Sequence, residues 1–158
     1  MPQQSLNRSF SILANITKCY LVTKDDGTER YIIEGLASGT DIDLTGERMA
    51  ASAIDSMIAS KDVNRIYLNN EHVQHWDSIY GEFTDLWKTE TNDMMVRAEL
   101  IPWHYRTVTL VKTLEEGGQI ALSIEGKVIE AALEWSDELK RMIKVYKNIL
   151  LEKISTTG

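Results

Sequence analysis

Thr17-Lys18-Cys19-Tyr20-Leu21-Val22-Thr23-Lys24-Asp25-Asp26-Gly27-Thr28-Glu29-Arg30-Tyr31-Ile32-Ile33-Glu34-Gly35-Leu36-Ala37 is the stretch on which the fold turns. Residues Thr17 to Lys24 are rich in alternating β-branched and aromatic side chains. Asp25-Asp26-Gly27-Thr28 supplies turn chemistry and Arg30 to Ala37 runs on as a second strand, so a β-hairpin is predicted. On its N-terminal side, residues 1–16 are polar and weakly patterned and read as a leader, either mobile or packed over the core. On its C-terminal side, Ser38-Gly39-Thr40-Asp41 breaks the pattern. Met49, Ala50, Ala53, Ile54, Met57 and Ile58 then recur at helical spacing, which predicts a helix over 47–60.

Further along, Arg65 to Asn69 reads as a short strand, and Ile79 to Lys88 and Met94 to Ile101 read as an antiparallel pair joined through Glu90-Thr91-Asn92-Asp93. Pro102 suits a first helical turn, and Trp103, Thr107, Leu110, Val111 and Leu114 share a face before Gly117-Gly118, which predicts a helix over 103–116. Ile120 to Val128 and Met142 to Thr156 read as strands separated by a charged connection, Glu130 to Arg141, with helical character. The expected class is α+β: a mainly antiparallel β-barrel or strongly curved sheet with helices packed outside. No alternation of strands and helices of the dinucleotide-binding kind is present, and no glycine-rich phosphate loop follows a strand, so no cofactor is expected.

The chain has 158 residues, 43% of them apolar and 26% charged, which predicts one domain over 1–158. A net charge of −7 repels phosphate backbones and argues against direct nucleic-acid binding. The longest apolar stretches, such as Ile149 to Leu151, are far too short to span a bilayer. Arg8 precedes a short segment, Phe10 to Ile16, that lacks a secretory cleavage site, so the reading is cytoplasmic. The single cysteine, Cys19, has no partner for an internal disulfide and is expected to be a buried strand thiol.

Four groupings bear on chemistry. Asp41-Ile42-Asp43-Leu44-Thr45-Gly46 resembles the start of a calcium loop, but Ser52 stands where a bidentate glutamate is needed, so a polar turn that caps backbone amides is expected instead. His72, His75 and Asp77 have the spacing of a weak divalent-metal site, with no cysteine or second histidine pair to complete it. His75 and His104 are expected to be surface or satisfied histidines, whereas His72 ends a strand that could aim it into a cleft as a general base. In Ile120-Ala121-Leu122-Ser123-Ile124-Glu125-Gly126, the apolar row Ile120, Leu122, Ile124 leaves Ser123 on the other face, either a solvent-facing serine or a nucleophile. Leu150, Glu152 and Ile154 share a strand face, which sets a carboxylate between apolar neighbours where it would need a partner such as His72, unless it lies on an edge strand in water.

Taken together, Ile33-Glu34-Gly35-Leu36-Ala37-Ser38, Asp43, Gly46-Glu47, Asn70-Glu71-His72, Ile79-Tyr80-Gly81, Leu122-Ser123-Ile124-Glu125-Gly126 and Leu151-Glu152-Lys153-Ile154-Ser155 resemble the prohead proteases of tailed bacteriophages. The fold of that family is related to herpesvirus assemblin. The resemblance covers Ile33 to Thr157. It implies a serine endopeptidase that acts in the host cytoplasm inside the immature capsid, cleaves the scaffolding protein and the major capsid protein, often cuts itself, and self-associates. Carried onto this chain, Ser123 is the nucleophile, His72 the general base and Glu152 the group that orients His72. In the herpesvirus relatives the third member is a second histidine, which neither His75 nor His104 matches; Glu125 and Asp137 are the poorer substitutes. Oxyanion donors are expected near Gly126 or on Arg141.

Family members usually run on into a polar tail, so the resemblance implies an end at Gly158 that is trimmed or self-processed. Activity is expected to be weak in the isolated chain and completed by oligomer formation or encapsulation. Two other classes stand beside the protease: a non-catalytic scaffold or capsid-assembly module with the same fold, and a metal hydrolase built on His72, His75 and Asp77.

Overall fold

The computed structural model describes residues 7–10, 14–43, 45–70 and 76–157. Their strands are β1 (Asn7–Phe10), β2 (Ile16–Thr23), β3 (Glu29–Ser38), β4 (Arg48–Met49), β5 (Tyr67–Asn70), β6 (Ile79–Lys88), β7 (Met94–Leu100), β8 (Ala121–Ser136) and β9 (Arg141–Thr157). The helices are α1 (Ala51–Ala59) and α2 (Tyr105–Glu115). The strands form one sheet in the order β1-β8-β9-β5-β6-β7-β3-β2, with β4 beside β9. All ladders are antiparallel except those of β4 and β5 with β9.

The architecture is α+β, and the sheet is not closed into a barrel. Its path ends at β1 and β2, and the residues just before β2 meet the start of β8 at the isolated bridge between Asn15 and Ala121. There Ile16 N–H donates to the Ile120 carbonyl at 3.0 Å and Leu122 N–H to the Ala14 carbonyl at 2.9 Å. Gly35 is needed at this crossing, because a Cβ on it would strike the Asn15 carbonyl oxygen.

The opening hairpin is β2–β3: Lys24 N–H donates to the Thr28 carbonyl at 2.7 Å and Gly27 takes the left-handed conformation at φ 84°. Within the segment expected to be a leader, Asn7–Phe10 is an edge strand paired with Phe10 opposite Ile124. The first helix starts at Ala51 rather than 47, because Arg48 and Met49 pair with Val145 and Tyr146 of β9 instead.

Beyond that pairing, the same edge of β9 is completed by side chains. Ser52 Oγ donates to the Lys147 carbonyl at 2.8 Å, Ile149 and Leu151 N–H donate to Ser56 Oγ and Ser60 Oγ at 2.9 Å each, and Asn64 Nδ2 donates to the Leu151 carbonyl at 3.0 Å. Four helical residues and two strand residues both advance about 6 Å, so polar residues spaced by four meet backbone groups spaced by two.

The second helix also starts later than expected. His104 is its N-cap, accepting the Arg106 N–H on Nδ1 at 3.1 Å, and Trp103 precedes the helix and is 79% exposed rather than part of its buried face. The connection expected over Glu130 to Arg141 is strand up to Ser136, with a tight turn at Asp137 to Lys140. Ser136 pairs with Arg141 and Trp135 with Met142, making β8–β9 one long hairpin. The core is a single cluster that includes Ile33, Ile54, Met57, Leu68, Phe83, Val96, Leu122, Ile124 and Ile154, all fully buried.

Candidate functional site

Three adjacent strands bring the candidate residues together. Ser123 on β8 pairs with Ser155 on β9, which pairs with Asn69 on β5, so the three side chains form a row on one face of the sheet. The next row, Ile124, Ile154 and Leu68, points into the core. Alternation thus places Ser123 off the apolar face, as expected from the sequence. Ser155 and Asn69 nonetheless are buried, at 0% and 5% exposure, and Asn69 Nδ2 donates to Ser78 Oγ at 3.4 Å. Ser123, at the end of the row, is only half-buried.

The expected base, His72, and its neighbour His75 lie outside the described residues. Their position along the chain is nevertheless bounded, since β5 ends at Asn70, opposite Thr156. β5 and β8 are not adjacent, because β9 runs between them. Two strand spacings, about 10 Å, separate Asn69 from Ser123.

Glu152 sits at an irregularity. Glu125 pairs with Lys153 but Gly126 pairs with Leu151, so Glu152 is the extra residue of a β-bulge. The regular alternation of Leu150, Glu152 and Ile154 expected from the sequence is therefore broken, and Leu151, not Leu150, is fully buried. Gly126 is required here, since a Cβ would strike the Leu150 carbonyl oxygen. Glu152 is half-buried and stands three residues, about 10 Å, along β9 from Ser155. Closer to Ser123 on its own face is Glu125, whose carboxylate holds Lys153 Nζ at 3.2 Å, with only 13% and 15% of the two side chains exposed.

The other candidates resolve into structural roles or distance. His104 donates from Nε2 to the Asp77 carbonyl at 2.7 Å while its Nδ1 caps α2, which makes it a satisfied buried histidine. Asp43 Oδ1 accepts from Thr45 N–H, Thr45 Oγ1 and Glu47 N–H at 2.9, 2.7 and 3.0 Å, the polar turn that was expected. Among the described residues no cluster of His, Cys, Asp and Glu could hold a metal. Burial, with the charge of Glu115 adding to it, pushes the Cys19 thiol up, away from nucleophilic use.

Arg141 cannot serve as an oxyanion donor for Ser123. It pairs with Ser136 at the tip of the hairpin, fourteen strand residues or roughly 45 Å from Ser155. Asp137, held by Trp135 Nε1 at 2.9 Å, is at the same remote tip.

On the opposite face, a cavity of about 350 Å³ opens between α2 and the ends of β5, β8 and β9, lined by Asn70, Tyr80, Arg106, Ile120 and Thr156 among others. The Tyr80 hydroxyl bonds to Thr156 Oγ1, and burial pushes its phenol up to about 12. This contact ties β6 to β9 directly behind the serine row.

Ser155 and Asn69 were not singled out from the sequence, and Glu125 was named only as a substitute third member, without its partner Lys153. The signal was present in Lys153 and Ser155 flanking Ile154, but parity alone does not say which polar residues of different strands meet. The row of hydroxyl and amide groups, with a half-buried ion pair beside it, can hold a polar chain segment against the sheet next to Ser123.

No family model matches the sequence and no curated protein matches it significantly. Among solved structures, the fold is similar to that of the bacteriophage T4 capsid assembly protease, gp21, with a TM-score of 0.72 at 11% identity, covering 97% of this chain and 96% of that one.

Proposed function

We propose that the chain is a serine endopeptidase that acts inside an immature phage capsid, with Ser123 as nucleophile, His72 as general base and Glu152 as the residue that orients His72. The observation that carries this reading is the row Ser123–Ser155–Asn69. It sets the half-buried hydroxyl of Ser123 in line with two buried polar residues, Ser155 and Asn69, and Asn69 belongs to the strand that precedes His72 in the sequence. The full-length likeness in fold to a capsid assembly protease supports the same reading.

In this mechanism Ser123 Oγ attacks a peptide carbonyl and His72 takes the hydroxyl proton, which it then gives to the leaving amine. Water, deprotonated by the same imidazole, hydrolyses the ester and restores Ser123. Backbone N–H groups near Gly126, where the bulge breaks the ladder, are the proposed oxyanion donors. The substrates are the scaffolding protein, the major capsid protein and the chain itself.

A second reading, a non-catalytic assembly module, is favoured by one feature: Leu133, Trp135 and Met142 project 67%, 59% and 50% exposed from one face of the β8–β9 hairpin. Coexpression with the neighbouring capsid and scaffolding proteins, followed by intact-mass analysis, separates the two. Ser123→Ala is expected to lower cleavage by at least about 10⁴-fold with an unchanged Tm. Intact chains with both versions would favour the assembly module, and cleavage that survives Ser123→Ala would refute the assigned nucleophile.

A further inference from the structure

The cavity of about 350 Å³ on the face opposite the serine row lies at the small end of ligand-sized pockets. Its walls divide by chemistry. Leu110 of α2 and Ile120, just before β8, supply apolar surface, while Asn70 and Gln119 supply side-chain amides. Arg106, one turn before Leu110 on α2, is the only charged side chain of the lining among the described residues, so the cavity is positive.

Among the described residues no carboxylate pairs with the Arg106 guanidinium, and its Nε is enclosed without a hydrogen-bond partner. The guanidinium lies over the Tyr105 ring, 4.9 Å from the centroid, which holds it in place. An enclosed donor on an unneutralised cation is costly to leave unmatched, and a carboxylate matches a guanidinium with two parallel bonds. The Arg106 charge also acts on the Tyr80 phenol, so the two groups stand near each other. Thr156 Oγ1 donates to the Asn69 carbonyl at 3.4 Å, and in its contact with Tyr80 it therefore accepts the phenol proton. The Tyr80 oxygen keeps a lone pair for an N–H donor. Asn70 and Gln119 have no side-chain hydrogen bond among the described residues, and each amide offers both a donor and an acceptor.

We propose that this cavity binds the C-terminal end of a peptide whose last residue is apolar. The terminal carboxylate sits on Arg106, the last amide N–H on the Tyr80 oxygen, and the apolar side chain against Leu110 and Ile120, while Asn70 and Gln119 bond the preceding carbonyl. A carboxylate, an amide and an apolar side chain on one carbon atom define a peptide end, and neither phosphate nor an acidic side chain carries all three. The site does not involve Ser123 and stands whether or not the chain is a protease.

Isothermal titration calorimetry of the whole chain with acetyl-Ala-Leu, its carboxylate free, is expected to show one saturable site with a Kd of about 1 mM or tighter. Acetyl-Ala-Leu-amide should bind at least about tenfold more weakly, a comparison that needs no variant. Arg106→Gln, with an unchanged Tm, should lower the affinity for the acid by about the same factor and abolish its advantage over the amide. Acetyl-Gly-Gly, which keeps the carboxylate and loses the apolar side chain, should bind more weakly than acetyl-Ala-Leu. Ser123→Ala should bind the acid as the parent chain does, which separates this result from the assignment of the nucleophile. The proposal is overturned by absence of saturation up to about 10 mM, by equal binding of acid and amide, by an Arg106→Gln variant that keeps the preference, or by equal binding of inorganic phosphate or of acetyl-Ala-Glu-amide.

Discussion

The two halves of the β8–β9 hairpin are made of the same strands yet live in different surroundings. In the near half, Ala121 to Val128 against Ile149 to Thr157, β1 flanks one side and β5 the other. Leu122, Ile124, Leu151 and Ile154 are fully buried there, and Ser60 Oγ takes up the Leu151 N–H. In the far half, Glu130 to Ser136 against Arg141 to Asn148, the short β4 is the only further strand among the described residues. One face packs Val145 and Ile143 inward, while Leu133, Trp135 and Met142 face water. Strand pairing alone therefore does not make a site. Ser123 is held in place because its strand is braced on both edges and from behind.

The largest effect that tests this contrast is Ile154→Ala, which should cost about 2–5 kcal/mol by opening a cavity beneath the serine row, measured by urea denaturation. A cost near zero would mean that the near half is not the rigid one.

A smaller effect comes from alkali. The Tyr80 phenol is raised from 10.0 to about 12 by burial, so its contribution is complete below pH 10 and is lost as pH rises through 12. That loss amounts to about 2–3 kcal/mol. It should be visible in Tm against pH and absent from Tyr80→Phe, and an identical alkaline decline in both proteins would remove Tyr80 as its source.

The smallest effect is Leu133→Ala in the far half, expected within about 0.5 kcal/mol. A loss comparable with that of Ile154→Ala would erase the distinction between the halves.

Much of this was legible in the residues. The alternation of Ile120, Leu122 and Ile124 put Ser123 on the other face, and Asp25 to Thr28 marked the turn between β2 and β3. Glu130-Ala131-Ala132-Leu133-Glu134 was misread toward helix because its residue types favour helix. The strand is imposed there by the partner segment from Arg141 onward. Trp103 was assigned to a buried helical face because its spacing fits, but the His104 cap starts the helix after it.

The sequence by itself determined the order and faces of the elements, since side-chain periodicity and turn chemistry are local properties of the chain. Tertiary structure alone decided that Ser155 and Asn69 stand beside Ser123, that Glu152 falls in a bulge, that Arg141 is remote, and that Ser56 of α1 and Ser60 at its C-cap complete the edge of β9. Those outcomes depend on strand order and register, which are settled by long-range hydrogen bonds and core packing between segments that no local pattern connects.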